Sequence, residues 1–205
     1  MARDIQSIVK MSRREGYALH PKAHKALAKR TSLPGKSSTG RPSRNKPSQY
    51  SLQLREKQKV KRLYGLLERQ FSNLMKEASR TQGQSGQMLL QLLERRLDNV
   101  VYRSGFAPSR RAARQLVTHG HFMLNGRRVD IPSIRVKEGD EIVLRDHSKT
   151  NEYFKKLDEV SPAAEATSWL KVDRKKVSVK VTGKPTREEA EPEINEQLIV
   201  EYYSR

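Results

Sequence analysis

SRRAARQLVTHGHFMLNGRRV, residues 109–129, is the stretch on which the reading of this chain turns. Ser109 has the side chain of an N-cap, and Gly120 that of a left-handed helix stop, so a short helix is predicted from Arg110 to His119. Ala112, Ala113, Leu116 and Val117 would supply its buried side, leaving Arg110, Arg111, Arg114, Gln115 and Thr118 to point elsewhere. Asn125-Gly126 accepts the positive φ values of a type I′ turn, so the residues on either side read as a two-stranded hairpin carrying Arg127 and Arg128. The stretch contains no acidic side chain. The expectation is therefore that its arginines are neutralised from outside the chain, by a polyanion.

Beyond the hairpin, SIRV (133–136) and, after a KEGDE turn, IVLR (142–145) extend the predicted sheet. NEYFKKLDEV (151–160) is helix-like, SWLKVD and VSVKVTG suggest two more strands, and NEQLIVEYYSR (195–205) is an apolar segment expected to dock. Upstream, Val60, Leu63, Leu67, Phe71, Leu74 and Ala78 recur at helical spacing, predicting a helix over 51–80. TQGQSG (81–86) is a loop signal, and a second helix is predicted from Met88 through Val101 to an end near Ser104-Gly105. Arg55, Lys57, Lys59, Lys61, Arg62 and Arg69 crowd the polar side of the first helix, and that one-signed face points to nucleic-acid contact. Residues 1–50 show little apolar period and read as a basic extended arm.

The chain has 205 residues, enough for two small domains, and 42 Lys plus Arg against 23 Asp plus Glu give a net charge of +19. That excess is uneven: residues 1–50 hold 12 cations and 2 acids, and 151–205 hold 10 and 11, so the polyanion-binding surface is expected in the first three quarters. Nucleic acid is the leading partner. There is no cysteine, which removes disulfides and thiolate zinc sites. His20 and His24, or His119 and His121, lack a carboxylate completing a ligand set, so surface or RNA-facing imidazoles are expected rather than a metal site. No apolar run approaches the roughly 20 residues of a spanning helix, and a soluble intracellular protein without a membrane partner is expected.

RRLDNVVYRSGFAPSRRAARQLVTHGHFMLNGRRVDIPSIRVKEGDEIVL (95–144) resembles the S-four RNA-binding domain: R-L-D on one helix, S-R-x-x-A-R on the next, N-G on the hairpin, and G-D before the last strand. MARDIQSIVKMSRREG, QYSLQLREKQKVKRLYGLLERQF (49–71) and INEQLIVEYYSR extend the resemblance to the bacterial or organellar small-ribosomal-subunit S-four family over nearly the whole length. The chain departs from that family at PGKSSTG (34–40), where members commonly carry P-G-Q-H-G, and it lacks the cysteine cluster of some members.

The resemblance implies an α+β chain with three parts: a basic arm over 1–50, a helical domain over 51–94 completed by 185–205, and an S-four domain over 95–184. The core module of that last part is 95–145, with a small, mainly antiparallel sheet packed on helices. It further implies a structural constituent of the small subunit, with no enzyme activity, cofactor or small-molecule substrate. Such a protein binds small-subunit rRNA, nucleates assembly of the subunit body, and contributes to the region where mRNA enters. It affects accuracy with neighbouring protein S-five, and members of the family repress their own message.

Expected rRNA contacts are Arg96, Ser109, Arg110, Arg111, Arg114, Gln115, His119, Asn125 and Arg127, with Arg55, Lys57, Lys59, Lys61, Arg62 and Arg69. Arg41, Arg44 and Lys46 would meet either mRNA or rRNA. Two alternatives stay open at this point. Asn125-Gly126 would be needed for turn geometry alone, and one of the arginines would pair with Asp98 or Glu94 inside the fold. The R-L-D tripeptide also resembles one in pseudouridine synthases, where the aspartate is catalytic; here too few residues remain for a catalytic domain, and Asp98 is expected to pack or to form a salt bridge.

Overall fold

A computed structural model describes residues 4–30, 33–35, 46–161 and 167–204. In chain order it contains α1 (Ile8–Glu15), α2 (Ala23–Lys29), α3 (Gln49–Leu63), α4 (Glu68–Arg80), α5 (Ser85–Glu94), α6 (Leu97–Arg103) and α7 (Arg110–Thr118). There follow β1 (Phe122–Leu124), β2 (Arg127–Val129), β3 (Glu141–Leu144), α8 (Asp146–Lys149), α9 (Glu152–Lys155), α10 (Leu157–Val160), β4 (Leu170–Asp173), β5 (Ser178–Val181) and α11 (Glu196–Tyr203). The chain divides into two compact units, one taking residues up to Leu89 together with those from Glu193, the other Leu90–Pro192.

The first unit is helical. Its opening residues are not extended throughout, as composition suggests, because α1 and α2 bury Met11, Leu19 and Ala23. Ser12 stitches that turn together: its hydroxyl donates to the Ile8 carbonyl at 2.9 Å and accepts the Leu19 N–H at 3.3 Å. The single helix predicted over 51–80 is two. Gly65 sits at φ +65°, and the Leu66 N–H reaches back to the Lys61 carbonyl at 2.9 Å, the geometry of a left-handed helix terminus. Periodicity missed this break because Leu66 and Leu67 carry the apolar pattern across it. Ile199 on α11 is fully buried, and α11 packs on α3. Gly86 on α5 lies so near α11 that a Cβ there would stand 2.7 Å from Glu196 Cγ.

The second unit packs α6 and α7 on an antiparallel sheet of order β2-β1-β3-β5-β4. The helix predicted through 88–101 breaks at Arg95-Arg96, where Arg96 is extended. SIRV is not a strand: it pairs with that break through an isolated Arg96–Arg135 bridge, with the Leu97 N–H on the Ile134 carbonyl at 2.8 Å. NEYFKKLDEV forms two single turns, α9 and α10. Strand alternation sends Phe122, Ile142, Leu144, Val179 and Val181 to one face, where they join Leu97, Val100, Phe106, Ala113, Val117 and Trp169 in the core. Each such side chain contributes about 1.5–3 kcal/mol of burial. The opposite face carries Arg128, Met123, Val143, Ser178, Lys180 and Lys171, none of them buried.

Candidate nucleic-acid interface

α7 forms where its local signals place it. Ser109 is extended, and its Oγ accepts the Ala112 N–H at 3.3 Å; Gly120 has φ +70°. Ala113 and Val117 fill the core, and the opposite side of the helix exposes Arg111, Gln115, Thr118 and His119. The Ser109 hydroxyl accepts the cap bond and its residue is buried, so this expected RNA contact also positions α7.

The expectation that the arginines of 109–129 are neutralised from outside the chain is corrected for two of them, Arg110 and Arg114, and Arg96, another expected rRNA contact, is likewise paired within the fold. Arg96 is buried and forms a two-pronged bond with Asp98, Nε to Oδ1 at 3.1 Å and Nη2 to Oδ2 at 2.9 Å. Arg114 Nη1 stands 3.6 Å from the same carboxylate. Arg110 donates to Asn99 Oδ1 at 2.9 Å and to Glu191 Oε1 at 2.8 Å, with its guanidinium 4.5 Å from the Tyr102 ring centroid. Arg103 completes the network, binding the buried Glu94 through two 3.0 Å bonds. The acids lie outside the 109–129 stretch, and Glu191 is 81 residues from Arg110, which is why local sequence hides the pairing.

The hairpin forms with Asn125 at φ +49° and Gly126 at +78°. Asn125 Nδ2 donates to Asp140 Oδ1 at 2.8 Å and its Oδ1 accepts the Glu141 N–H at 2.9 Å, so this amide serves the fold at both ends. Arg127 is exposed. Arg128, not among the expected contacts, is exposed and folds across to the end of α7: a Cβ on Gly120 would stand 2.7 Å from its Nε. The signal that separates it from Arg127 is strand parity, since Arg128 lies opposite Met123 and Arg127 opposite Leu124. A cation here complements the α7 carbonyl end. His121 beside it is held below the usual histidine range by burial, and by His119 and Arg145, and its Nδ1 lies 2.9 Å from Ser148 Oγ.

In the first unit the one-signed face of α3 is also internally answered. Arg55 and Arg62 both bind the buried Glu15, Lys59 pairs with Glu56 at 2.8 Å, and Lys57 and Lys61 grip Glu68 at 2.7 and 3.0 Å. Lys57 is buried, with Nζ 4.3 Å from the Tyr202 ring centroid. Burial pushes the Glu15 carboxyl up despite its arginines. Partial burial works against Glu68 too, yet hydrogen bonds from Lys57, Lys61 and Tyr203 bring it down to about 2. Arg69 and Lys46 are exposed, while Arg41 and Arg44 lie outside the described residues. Within α7 and the hairpin the guanidinium groups that face solvent are those of Arg111, Arg127 and Arg128, and their forked donors suit phosphate oxygens and 2′-hydroxyls.

Residues 3–94 match the ribosomal protein S4/S9 N-terminal domain, and residues 95–142 match the S4 domain. The chain is 50% identical to the small ribosomal subunit protein uS4 of Clostridioides difficile over 211 residues, with all of both chains covered. Identity is likewise 50% to that of Roseiflexus castenholzii over 207 residues and 48% to that of Chlorobium phaeovibrioides over 205, again with complete coverage. The chain belongs to the uS4 family of small ribosomal subunit proteins. That family is structural and non-enzymatic, and the Asp98 carboxylate fits it: both oxygens are taken up by Arg96, and Oδ1 also accepts the Asn99 N–H at 3.0 Å. Among the described residues no group of three or more His, Asp or Glu side chains is placed to hold a metal ion, and no helix is long and apolar enough to cross a membrane.

Proposed function

We propose that this chain is a structural constituent of the small ribosomal subunit that grips folded small-subunit rRNA through Arg111 and Gln115 of α7, His119 just after it, and Arg127 and Arg128 of the hairpin. The observation that carries this reading is the fold of Arg128 across Gly120, which joins helix and hairpin into one cationic surface. Double-stranded RNA hides its base edges in a deep groove, so such a surface reads backbone spacing and shape. Arg96, Arg110 and Arg114 set its geometry from behind, since their carboxylate partners fix α6 and α7.

The family resemblance supports a finer reading, which we propose with it. The chain nucleates assembly of the subunit body, and Arg41, Arg44 and Lys46 serve the region where mRNA enters. The terminal segment faces protein S-five with its polar side, which bears on translational accuracy. Support for that last element comes from α11, which buries Ile199 while Gln197 and Glu201 stay exposed. Repression of its own message would use the same α7 and hairpin surface.

The test is capture of the intact protein from a lysate and sequencing of the bound RNA. Enrichment of one region of small-subunit rRNA is expected, lost in an Arg111→Ala/Arg127→Ala/Arg128→Ala variant that melts like the parent. Equal recovery of all cellular RNAs by both proteins would refute the reading.

A further inference from the structure

The second unit carries another concentration of cations that the α7 and hairpin surface does not use. Residues 151–205 are close to neutral overall, but their charge is segregated. Lys171, Arg174, Lys175, Lys176 and Lys180 fall within ten positions whose one acid is Asp173. The S4 domain match ends at residue 142, before this stretch begins.

Strand register brings these lysines together. Lys171 on β4 lies directly opposite Lys180 on β5, on the sheet face away from the core. Like charges directly opposite one another destabilise a sheet, and Glu141 on the far side of Lys180 offsets only part of that repulsion. Lys175 and Lys176 come from the turn between the two strands, where Val177 holds a left-handed backbone at φ +49° with its side chain buried. A β-branched residue is strained there, and the strain is held by the Leu144 N–H, which donates to the Val177 carbonyl at 3.1 Å.

Beside the turn lies an open cleft of about 470 Å³ lined by Val143, Ser178, Lys149, Lys175 and Lys176, with Glu141 as the one acid among its lining residues. Lys149 is paired with Asp146 at 2.7 Å; among the described residues no ion pair involves Lys171, Lys175, Lys176 or Lys180. Four exposed ammonium groups, two of them set against each other, are the arrangement a run of phosphates would relieve.

We propose that the outer face of β4 and β5, with the turn and cleft beside it, is a second RNA-phosphate surface that holds a segment of rRNA other than the one held by α7 and the hairpin. The inference rests on the reading above that the chain binds small-subunit rRNA. An ammonium is a point charge without the guanidinium fork, so this surface supplies affinity and salt dependence rather than geometric selectivity.

The experiment compares the intact protein with a Lys171→Gln/Lys175→Gln/Lys176→Gln/Lys180→Gln variant and with Arg111→Ala/Arg127→Ala. Binding to small-subunit rRNA transcribed in vitro is titrated against salt, and the complexes are footprinted with hydroxyl radicals. The lysine variant is expected to lower the logarithmic salt slope by about 3 to 3.5 and to lose protection of one RNA segment while keeping the segment lost in the arginine variant. Restoring the four positions as arginine returns both. A wild-type slope and footprint in the lysine variant, as an acidic protein partner at this face would give, overturns the proposal while leaving the α7 surface standing. Loss in the lysine variant alone, with the arginine variant unchanged, would support this surface and refute the α7 assignment.

Discussion

Replacing Arg111 and Arg127 together by alanine separates an RNA-facing role from a structural one, because the structure gives the neighbouring arginines a different fate. Both side chains are exposed, so the double variant is expected to melt within about 0.5 kcal/mol of the parent, as surface substitutions do. Each phosphate contact contributes about 0.7 to 0.9 to the logarithmic salt slope, so losing two lowers it by about 1.4 to 1.8. Between 50 and 200 mM salt the variant should therefore lose about eightfold less affinity than the parent does. The counterpart is Arg110→Ala, which removes bonds to Asn99 and Glu191 and the stacking on Tyr102. That change should cost about 2 kcal/mol in urea unfolding. The assay is filter binding to small-subunit rRNA over a salt series, with urea melts of each protein. An unchanged slope in the double variant, or a destabilisation larger than that of Arg110→Ala, would refute the division of labour.

Arg103→Ala leaves the buried Glu94 carboxylate without its guanidinium and should destabilise the second unit by about 3 kcal/mol; adding Glu94→Gln should recover part of this in urea melts, and no recovery would show the cost to be lost packing. Gly120→Ala forces a Cβ into a left-handed backbone and against Arg128, so a loss of about 1 kcal/mol should accompany a salt slope lower by about 0.7. Glu68 titrates at about 2 in the fold against 4.5 unfolded, so its contribution is full above pH 4.5 and disappears as pH falls from there through about 2. Half exposure reduces it to about 1 kcal/mol. In acid titrations of stability, Glu68→Gln should abolish that component of the decline.

How much was legible in the sequence depended on how far apart the cooperating residues lie. α7 and the hairpin were readable because Ser109, Gly120 and Asn125-Gly126 act on their own few neighbours. The break at Arg95-Arg96 was not, since it is held by pairing with residues about forty positions on, in a segment that itself reads as a strand. The internal partners of the α3 cations were hidden for the same reason: Arg62 meets Glu15 across 47 residues, and no count of charge along a helix reports that. The helices α1 and α2 were hidden by a strongly cationic composition, in which Met11, Leu19 and Ala23 are the apolar residues that become buried.

The interleaving of the two units has a consequence for biosynthesis. Every residue of the second unit has been joined once Pro192 is added, and each leaves the synthetic machinery ahead of α11, whereas the first must hold its α3 surface open until α11 follows. The helical unit is thus begun first and closed after its neighbour, and in the interval the apolar side awaiting Ile199 is a natural place for a chaperone to hold the nascent chain.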